Sequence, residues 1–174
     1  MRPERIVFFA ILAAVIATAP AAAAADRWWG GGGIGLAFGG DVDYVSVQPV
    51  IGYRVTERLS VGGRLVLSYR NDDRFAESFN ATDYGAAVFT RYAVTKIVFA
   101  QAEYEYLRYE YRLFDGGTDR DEFGSLFAGA GLSQPIGRRS SFFVLALYNF
   151  SYDEDELSPY GEPWVLRAGV GFSF

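Results

Sequence analysis

The chain has 174 residues, a formal net charge of −5 at pH 7 and a pI of about 4.8. This length is enough for one domain, and the content of 17% aromatic residues and 20 glycines is typical of strands joined by tight turns. The absence of cysteine excludes disulfides and thiolate metal sites. The acidic balance and the single lysine, Lys96, exclude a basic surface for nucleic acid.

The first 25 residues differ in composition from the rest of the chain. Arg2 and Arg5 precede an apolar run that extends to Ala17, and the small residues after it satisfy an A-x-A cleavage rule. We therefore predict a cleaved secretory signal peptide in residues 1–25 and one domain in residues 26–174. The alternative is a retained membrane anchor, because the uncharged part of this segment is long enough to span a bilayer.

After residue 26 the sequence repeatedly places apolar side chains at every second position. This period is that of β-strands, and no later stretch approaches the ~20 apolar residues of a membrane-spanning helix. The pattern predicts an all-β fold of eight strands, near residues 28–39, 43–55, 59–70, 83–94, 97–111, 122–136, 141–152 and 163–174.

The last predicted strand shows the alternation most clearly, because one face is apolar and the other is small or polar. The apolar face comprises Trp164, Leu166, Ala168, Val170, Phe172 and Phe174, and the opposite face comprises Arg167, Gly169, Gly171 and Ser173. The strand predicted at residues 59–70 repeats this pattern. One face therefore suits lipid, and the other suits a polar interior.

The connections between the predicted strands alternate between short and long. The short ones are residues 56–58, 95–96 and 137–140, and the long ones are residues 71–82, 112–121 and 153–162, with 39–42 as one short turn on the side of the long ones. Outer-membrane barrels have short periplasmic turns and longer extracellular loops, and an even strand number leaves both termini in the periplasm. The spacing predicts an eight-stranded antiparallel up-and-down transmembrane β-barrel with both termini periplasmic.

Three strands depart from the simple pattern. Pro49 lacks an N–H group and predicts a bulge or local irregularity in the second strand. The fifth strand changes phase near Leu107, which indicates that it extends beyond the bilayer with both faces in water. In the sixth strand the pattern does not decide which face contacts lipid, because Phe123 and Phe127 lie on one face and Leu126 and Leu132 lie on the other.

Tyrosine and tryptophan residues fall near the ends of the predicted strands, as aromatic girdles at two membrane interfaces require. The candidates are Trp28, Trp29, Tyr53, Tyr69, Tyr92 and Trp164. A soluble barrel with an apolar interior is the alternative. The aromatic residues at the ends of the apolar face favour a lipid-facing exterior.

Three segments carry a resemblance to a known family: residues 50–62, the turn at residues 133–137, and the terminal strand that ends at residues 170–174. They resemble small eight-stranded outer-membrane β-barrels, the superfamily of outer membrane proteins A and X and its uncharacterised members. The resemblance implies an integral protein of the bacterial outer membrane, in contact with lipid and lipopolysaccharide. It also implies that Phe172 and Phe174 are read by the barrel-assembly machinery.

The polar face of the strands places several charged side chains inside the predicted barrel. These are Arg64, Arg91, Glu103, Glu105 and Arg167. An eight-stranded barrel is only wide enough for side chains to fill it, so these groups are expected to pair and close the lumen. We interpret them as a structural ion-pair network, with a proton or ion path as the alternative.

Catalytic and metal sites receive little support. The chain has no histidine to serve as a general base, so Glu103 and Glu105 are the only acid–base candidates. Asp115, Asp119 and Asp121 have the alternate spacing of a Ca²⁺ loop, but the downstream glutamate of the full motif is missing. We expect no catalytic residues, cofactor or metal.

Most acidic residues lie in the predicted outer loops, including the run at residues 153–156. The sequence therefore predicts a non-enzymatic outer-membrane barrel that contributes to envelope structure or to surface recognition through acidic loops. The alternatives are a narrow pore or small-solute conduit and, less favoured without histidine, a lipid-modifying enzyme. A surface ligand is not identified by the sequence.

Overall fold

The chain closes into a barrel of eight antiparallel strands, in which each strand pairs with its neighbours in sequence and β1 pairs with β8. The computed structural model describes residues 27–37, 42–72, 79–112, 117–153 and 160–173. The strands are β1 (Trp28–Ala37), β2 (Val42–Arg54), β3 (Leu59–Asp72), β4 (Phe79–Ala93), β5 (Val98–Arg112), β6 (Thr118–Pro135), β7 (Ser140–Asn149) and β8 (Trp164–Ser173). The predicted fold class and strand number are confirmed.

Three tight turns of the same form join the strands at the end of the barrel where β1 begins and β8 ends. In each turn a backbone N–H donates to the carbonyl four residues later, as from Val55 to Leu59 at 2.8 Å and from Val94 to Val98 at 3.0 Å. Threonine side chains support two of these turns, because Thr56 Oγ1 and Thr95 Oγ1 each accept the N–H of the first residue of the next strand. We call this end of the barrel the turn end.

At the opposite end β3 to β6 extend beyond their predicted limits, whereas β7 ends at Asn149 instead of residue 152. β4 pairs with β3 from Phe79 onward, and β6 pairs with β5 from Thr118 onward. The connections predicted at residues 71–82 and 112–121 are therefore shorter, and Asp119 and Asp121 lie in a strand rather than in a loop. The sequence missed this extension because backbone pairing continues where neither face has an apolar pattern.

Strand β2 is irregular at Pro49, where the sequence predicted an irregularity. Pairing with β3 is interrupted at Gln48 and Pro49, but Val47 pairs with Leu67 and Val50 with Arg64 in one unchanged register. The predicted irregularity is therefore a gap in the ladder without an inserted residue, as expected where proline has no N–H to donate.

The inner faces of β5 and β6 remain buried along most of their length. Leu107 and Tyr109 are buried inside the barrel, so the predicted wetting of both faces of β5 is wrong. In β6 Leu126 and Leu132 are exposed on the outer surface, whereas Phe127 is fully buried inside.

The outer surface of the barrel carries a broad apolar belt. Large exposed hydrophobic residues occur on every strand, among them Ile34, Val45, Val47, Ile51, Leu65, Leu67, Tyr84, Tyr104, Leu126, Val144, Leu166 and Phe172. Charged side chains are buried inside instead. This distribution is the reverse of a soluble barrel and is that of a wall that faces lipid. None of the described residues belongs to a helix long and apolar enough to cross a membrane.

The aromatic residues assigned to the girdles fall into two groups. Tyr69, Tyr92 and Trp164 are exposed on the outer surface. Trp28 and Tyr53 pair across β1 and β2 and so share the outward face, where their rings meet edge-on at 5.1 Å, although Tyr53 is buried.

Trp29 corrects the prediction, because it lies inside the barrel, opposite Gly52. Adjacent residues of a strand point to opposite faces, so Trp28 and Trp29 cannot both belong to an outer girdle. Phe172 is outward and 49% exposed. Phe174 and the predicted signal peptide lie outside the described residues.

A single glycine at the turn end allows Trp29 to fit inside. A methyl group on Gly52 would overlap the indole ring of Trp29, whereas one on Gly32 would meet open space. We expect Gly52→Ala to lower the free energy of unfolding by about 1–3 kcal/mol through overpacking. Denaturant unfolding in lipid vesicles measures this, with Gly32→Ala as the matched control. Equal stability of the two variants would contradict the packing of Trp29 against Gly52.

Candidate functional site in the barrel lumen

The inward side chains of β5 follow the lumen from the turn end towards the other end. Successive members lie about 6.6 Å apart along the strand. In order they are Phe99, Gln101, Glu103, Glu105, Leu107 and Tyr109. The lumen is therefore layered, with polar and charged levels in the middle and apolar levels at either side.

Two arginines and two glutamates form the central level, which we call the ion-pair cluster. Arg64 Nη2 lies 2.6 Å from Glu103 Oε1 and 2.8 Å from Glu105 Oε2. Arg167 lies 2.5 Å from Glu103 Oε1 and 3.7 Å from Glu105 Oε2. All four side chains are buried, and their two positive and two negative charges balance.

Further hydrogen bonds hold both carboxylates in place. Gln101 Nε2 donates to Glu103 Oε2 at 2.9 Å, and the Tyr160 hydroxyl donates to Glu105 Oε1. Tyr160 precedes β8 and packs edge-on against Phe127, with ring centroids 5.4 Å apart. The sequence reading missed Tyr160, because it lies in a segment whose acidity indicated only a solvated loop.

Apolar residues close the lumen beyond the ion-pair cluster. Val66, Leu107 and Tyr109 form a buried cluster against which Phe123 packs. On the β7 and β8 side a larger group buries Phe127, Leu145, Leu147 and Val165, among others. The sequence placed the polar face of the strands inside but did not predict these apolar layers, because strand β7 is apolar on both faces and its pattern does not show which residues turn inward.

Arg91 departs from the predicted ion-pair network. Its Nε donates to Gln101 Oε1 at 2.9 Å, and no carboxylate of the described residues lies within ion-pair distance of it. The guanidinium lies instead among four aromatic rings. The distances from Arg91 Cζ to the ring centroids are 4.2 Å for Phe99, 5.1 Å for Trp29, 5.2 Å for Phe143 and 5.7 Å for Phe89.

Two cavities adjoin Arg91. A cavity of about 20 Å³ lies between Arg91 and the arginines of the ion-pair cluster and has room for about one water molecule. A larger one of about 160 Å³ occupies the mouth of the barrel at the turn end and is lined by Arg54, Arg91 and several serines. The lumen is therefore open at this mouth and filled farther in.

The remaining chemical candidates are accounted for by contacts within the protein. Glu103 and Glu105 are engaged by guanidinium and hydroxyl donors, so both acid–base candidates serve as counter-ions. Among the described residues no group of three or more acidic, histidine or cysteine side chains is arranged to hold a metal. Asp115 lies outside the described residues.

The fold is similar to that of a known outer-membrane barrel domain. The N-terminal β-barrel domain of Pseudomonas aeruginosa OprF superposes with a TM-score of 0.53 at 16% sequence identity, covering 86% of this chain and 98% of that one. A chain from the de novo design of transmembrane β-barrels matches with a TM-score of 0.40 at 14% identity, covering 86% and 96%. No family model and no curated protein matches the sequence. The chain thus has the fold of an eight-stranded outer-membrane β-barrel.

Charge balance in the ion-pair cluster can be tested by removing one carboxylate without changing its shape. Glu103→Gln leaves two buried arginines with one counter-ion, and we expect the free energy of unfolding to fall by about 3–5 kcal/mol. Denaturant unfolding in vesicles measures the change.

The matched control is Glu122→Gln, which weakens the exposed pair between Glu122 and Arg108. Exposed ion pairs contribute little, so the control is expected to unfold as the unaltered protein does. A similar effect of both substitutions would show that burial of the cluster does not matter for stability.

Proposed function

We propose that the protein is a non-enzymatic integral outer-membrane barrel that contributes to envelope structure or to surface recognition through its acidic segments. Both termini face the periplasm in this proposal. The observation that carries it is the filled lumen, in which balanced charges and apolar clusters leave no continuous passage among the described residues.

The outer wall supports a location in lipid. Leu65 and Leu67 are 58% and 57% exposed, and such side chains are unfavourable in water but favourable in hydrocarbon. Closure of the sheet pairs every strand on both edges, as the interior of a bilayer requires. The fold shared with the OprF barrel domain supports the outer membrane in particular.

Acidic side chains at the end of the barrel opposite the turn end support a role in surface recognition. The extension of β6 presents Asp119, Asp121 and Glu122 as exposed side chains, and the sequence places further acidic residues at 153–156. Carboxylates at this height are suited to meet the divalent cations and headgroups of lipopolysaccharide. Phe172 on the outward face supports recognition by the assembly machinery.

A filled lumen predicts that the protein does not conduct ions. We expect no discrete current steps from the unaltered protein in a planar bilayer. The charge-balanced variant Glu103→Ala/Arg167→Ala, which removes one side chain of each sign from the ion-pair cluster, is expected to show small steps. Regular steps from the unaltered protein would support the narrow pore instead.

Orientation predicts which segments are accessible on intact cells. An epitope inserted at residues 154–159 is expected to bind antibody on intact cells, because β7 ends and β8 begins at the end opposite the turn end. The same epitope inserted after Gly137 is expected to bind only after the outer membrane is permeabilised. The reverse result would overturn the proposed orientation, and labelling of neither site on cells or permeabilised cells would overturn the location.

A further inference from the structure

The smaller of the two cavities beside Arg91 lies deep in the barrel and is lined by three arginines. We call it the inner cavity, and its volume is about 20 Å³. Its polar lining residues are Arg64, Arg91, Arg167, Gln48 and Gln101. The other lining residues are apolar side chains and one glycine, and no carboxylate is among the described residues that line it.

The charges around the inner cavity do not balance. The two arginines of the ion-pair cluster are paired with its two glutamates, so the guanidinium of Arg91 is one positive charge in excess. Arg91 reaches Glu103 only through Gln101, whose oxygen accepts from Arg91 and whose nitrogen donates to Glu103. Asp83 is also buried, but it lies eight residues from Arg91 along β4, which is about 26 Å. A single negative charge would neutralise this part of the lumen.

Arg64 has hydrogen-bond donors that no described residue accepts. Its Nη2 contacts both carboxylates of the ion-pair cluster, whereas its Nε and Nη1 are buried without a partner. The residue is only 5% exposed, and a charged donor that is buried without an acceptor is costly. The inner cavity, which Arg64 lines, is where an acceptor for these donors can lie.

The rest of the lining favours an anion over a water molecule in this space. A water needs acceptors for its two hydrogens, and the side-chain acceptors of the lining are the amide oxygens of Gln48 and Gln101. The oxygen of Gln101 already accepts from Arg91. The rings of Phe89 and Phe143 complete the wall, and they lower the local dielectric so that the guanidinium groups attract an anion more strongly.

The inner cavity is separate from the mouth of the barrel, where Arg54 and Ser173 lie. Gly33 lines the inner cavity and pairs with Gly169 of β8, and Ser173 lies four residues farther along that strand, about 13 Å away. Neither Arg54 nor Ser173 lines the inner cavity. Arg91 lines both cavities, which gives a small ion a route from the turn end.

We propose that the inner cavity binds one halide ion, chloride in the cell, between Arg64 and Arg91. The volume is above the ~10–15 Å³ that one water needs, so a monatomic ion fits, whereas a tetrahedral oxyanion with five heavy atoms does not. The ion accepts hydrogen bonds from the two guanidinium groups. Its single negative charge balances the three arginines and two glutamates of this part of the lumen.

Thermal unfolding of the full barrel in detergent tests the proposal, with bromide as the probe. Bromide replaces gluconate, which is too large for the inner cavity, at constant ionic strength. The midpoint is expected to rise with saturation, by at least about 2 °C at about 0.3 M bromide, because an ion that binds only the folded state stabilises it. A midpoint that does not depend on bromide overturns the proposal.

Arg91→Gln removes the excess charge and leaves the four charges of the ion-pair cluster balanced. This variant is expected to unfold in gluconate at no lower temperature than the unaltered protein, and its midpoint is expected not to depend on bromide. Arg138→Gln is the matched control, since it removes the same charge from an exposed turn and is expected to keep the full bromide dependence. Equal bromide dependence of Arg91→Gln and Arg138→Gln overturns the proposal.

Anomalous X-ray diffraction from crystals of the unaltered protein grown in bromide locates the ion without relying on any variant. A bromide peak in the inner cavity, beside Arg64 and Arg91, is expected. Density at that position without an anomalous signal identifies a water molecule and overturns the proposal. Bromide peaks on the protein surface alone show an adventitious ion only and overturn it as well.

Discussion

The ion pairs between Arg64, Arg167 and the two lumenal glutamates are the interaction on which the rest of the barrel depends. These residues come from β3, β5 and β8, so the contacts cross the interior instead of following one hairpin. A buried charge without its partner is costly, and a strand that slipped by one residue would turn its charge outward into the apolar belt. The cluster therefore specifies the strand register and the width of the barrel together.

The layers on either side of the ion-pair cluster follow from this constraint. Apolar side chains exclude water from the charges, which strengthens the pairs. Tyr160 shows how the requirement reaches beyond the strands, because its hydroxyl meets Glu105 while its ring packs on Phe127. Tyr160 thus extends from the connection before β8 into the lumen, where it packs against residues of the barrel strands.

The sequence predicted the strands well where the two faces differ strongly in polarity. Arg64 and Leu65 are adjacent, and alternation assigned one to the lumen and the other to lipid. Prediction failed where both faces are alike, as at Phe142 and Phe143 of β7 or at the polar extension of β6 around Asp119. Alternation placed the four members of the ion-pair cluster inside the barrel, but it missed Asp83, which is also buried. It did not predict the partners of these charges, because the choice of partner depends on position along the barrel axis and on strands far apart in sequence.

Arg91 is an inward charge whose partners the sequence did not predict. Three inward arginines and two inward glutamates cannot all be neutralised within one cluster, and the structure separates the third cation from the other two. Aromatic rings surround its guanidinium, and its Nε donates to Gln101 instead of to a carboxylate. The net charge of −5 does not show how charge is distributed along the barrel, because it is the sum of a basic turn end and an acidic opposite end. Separating the third cation from the other two keeps it inside the barrel without adding an unpaired charge to the ion-pair cluster.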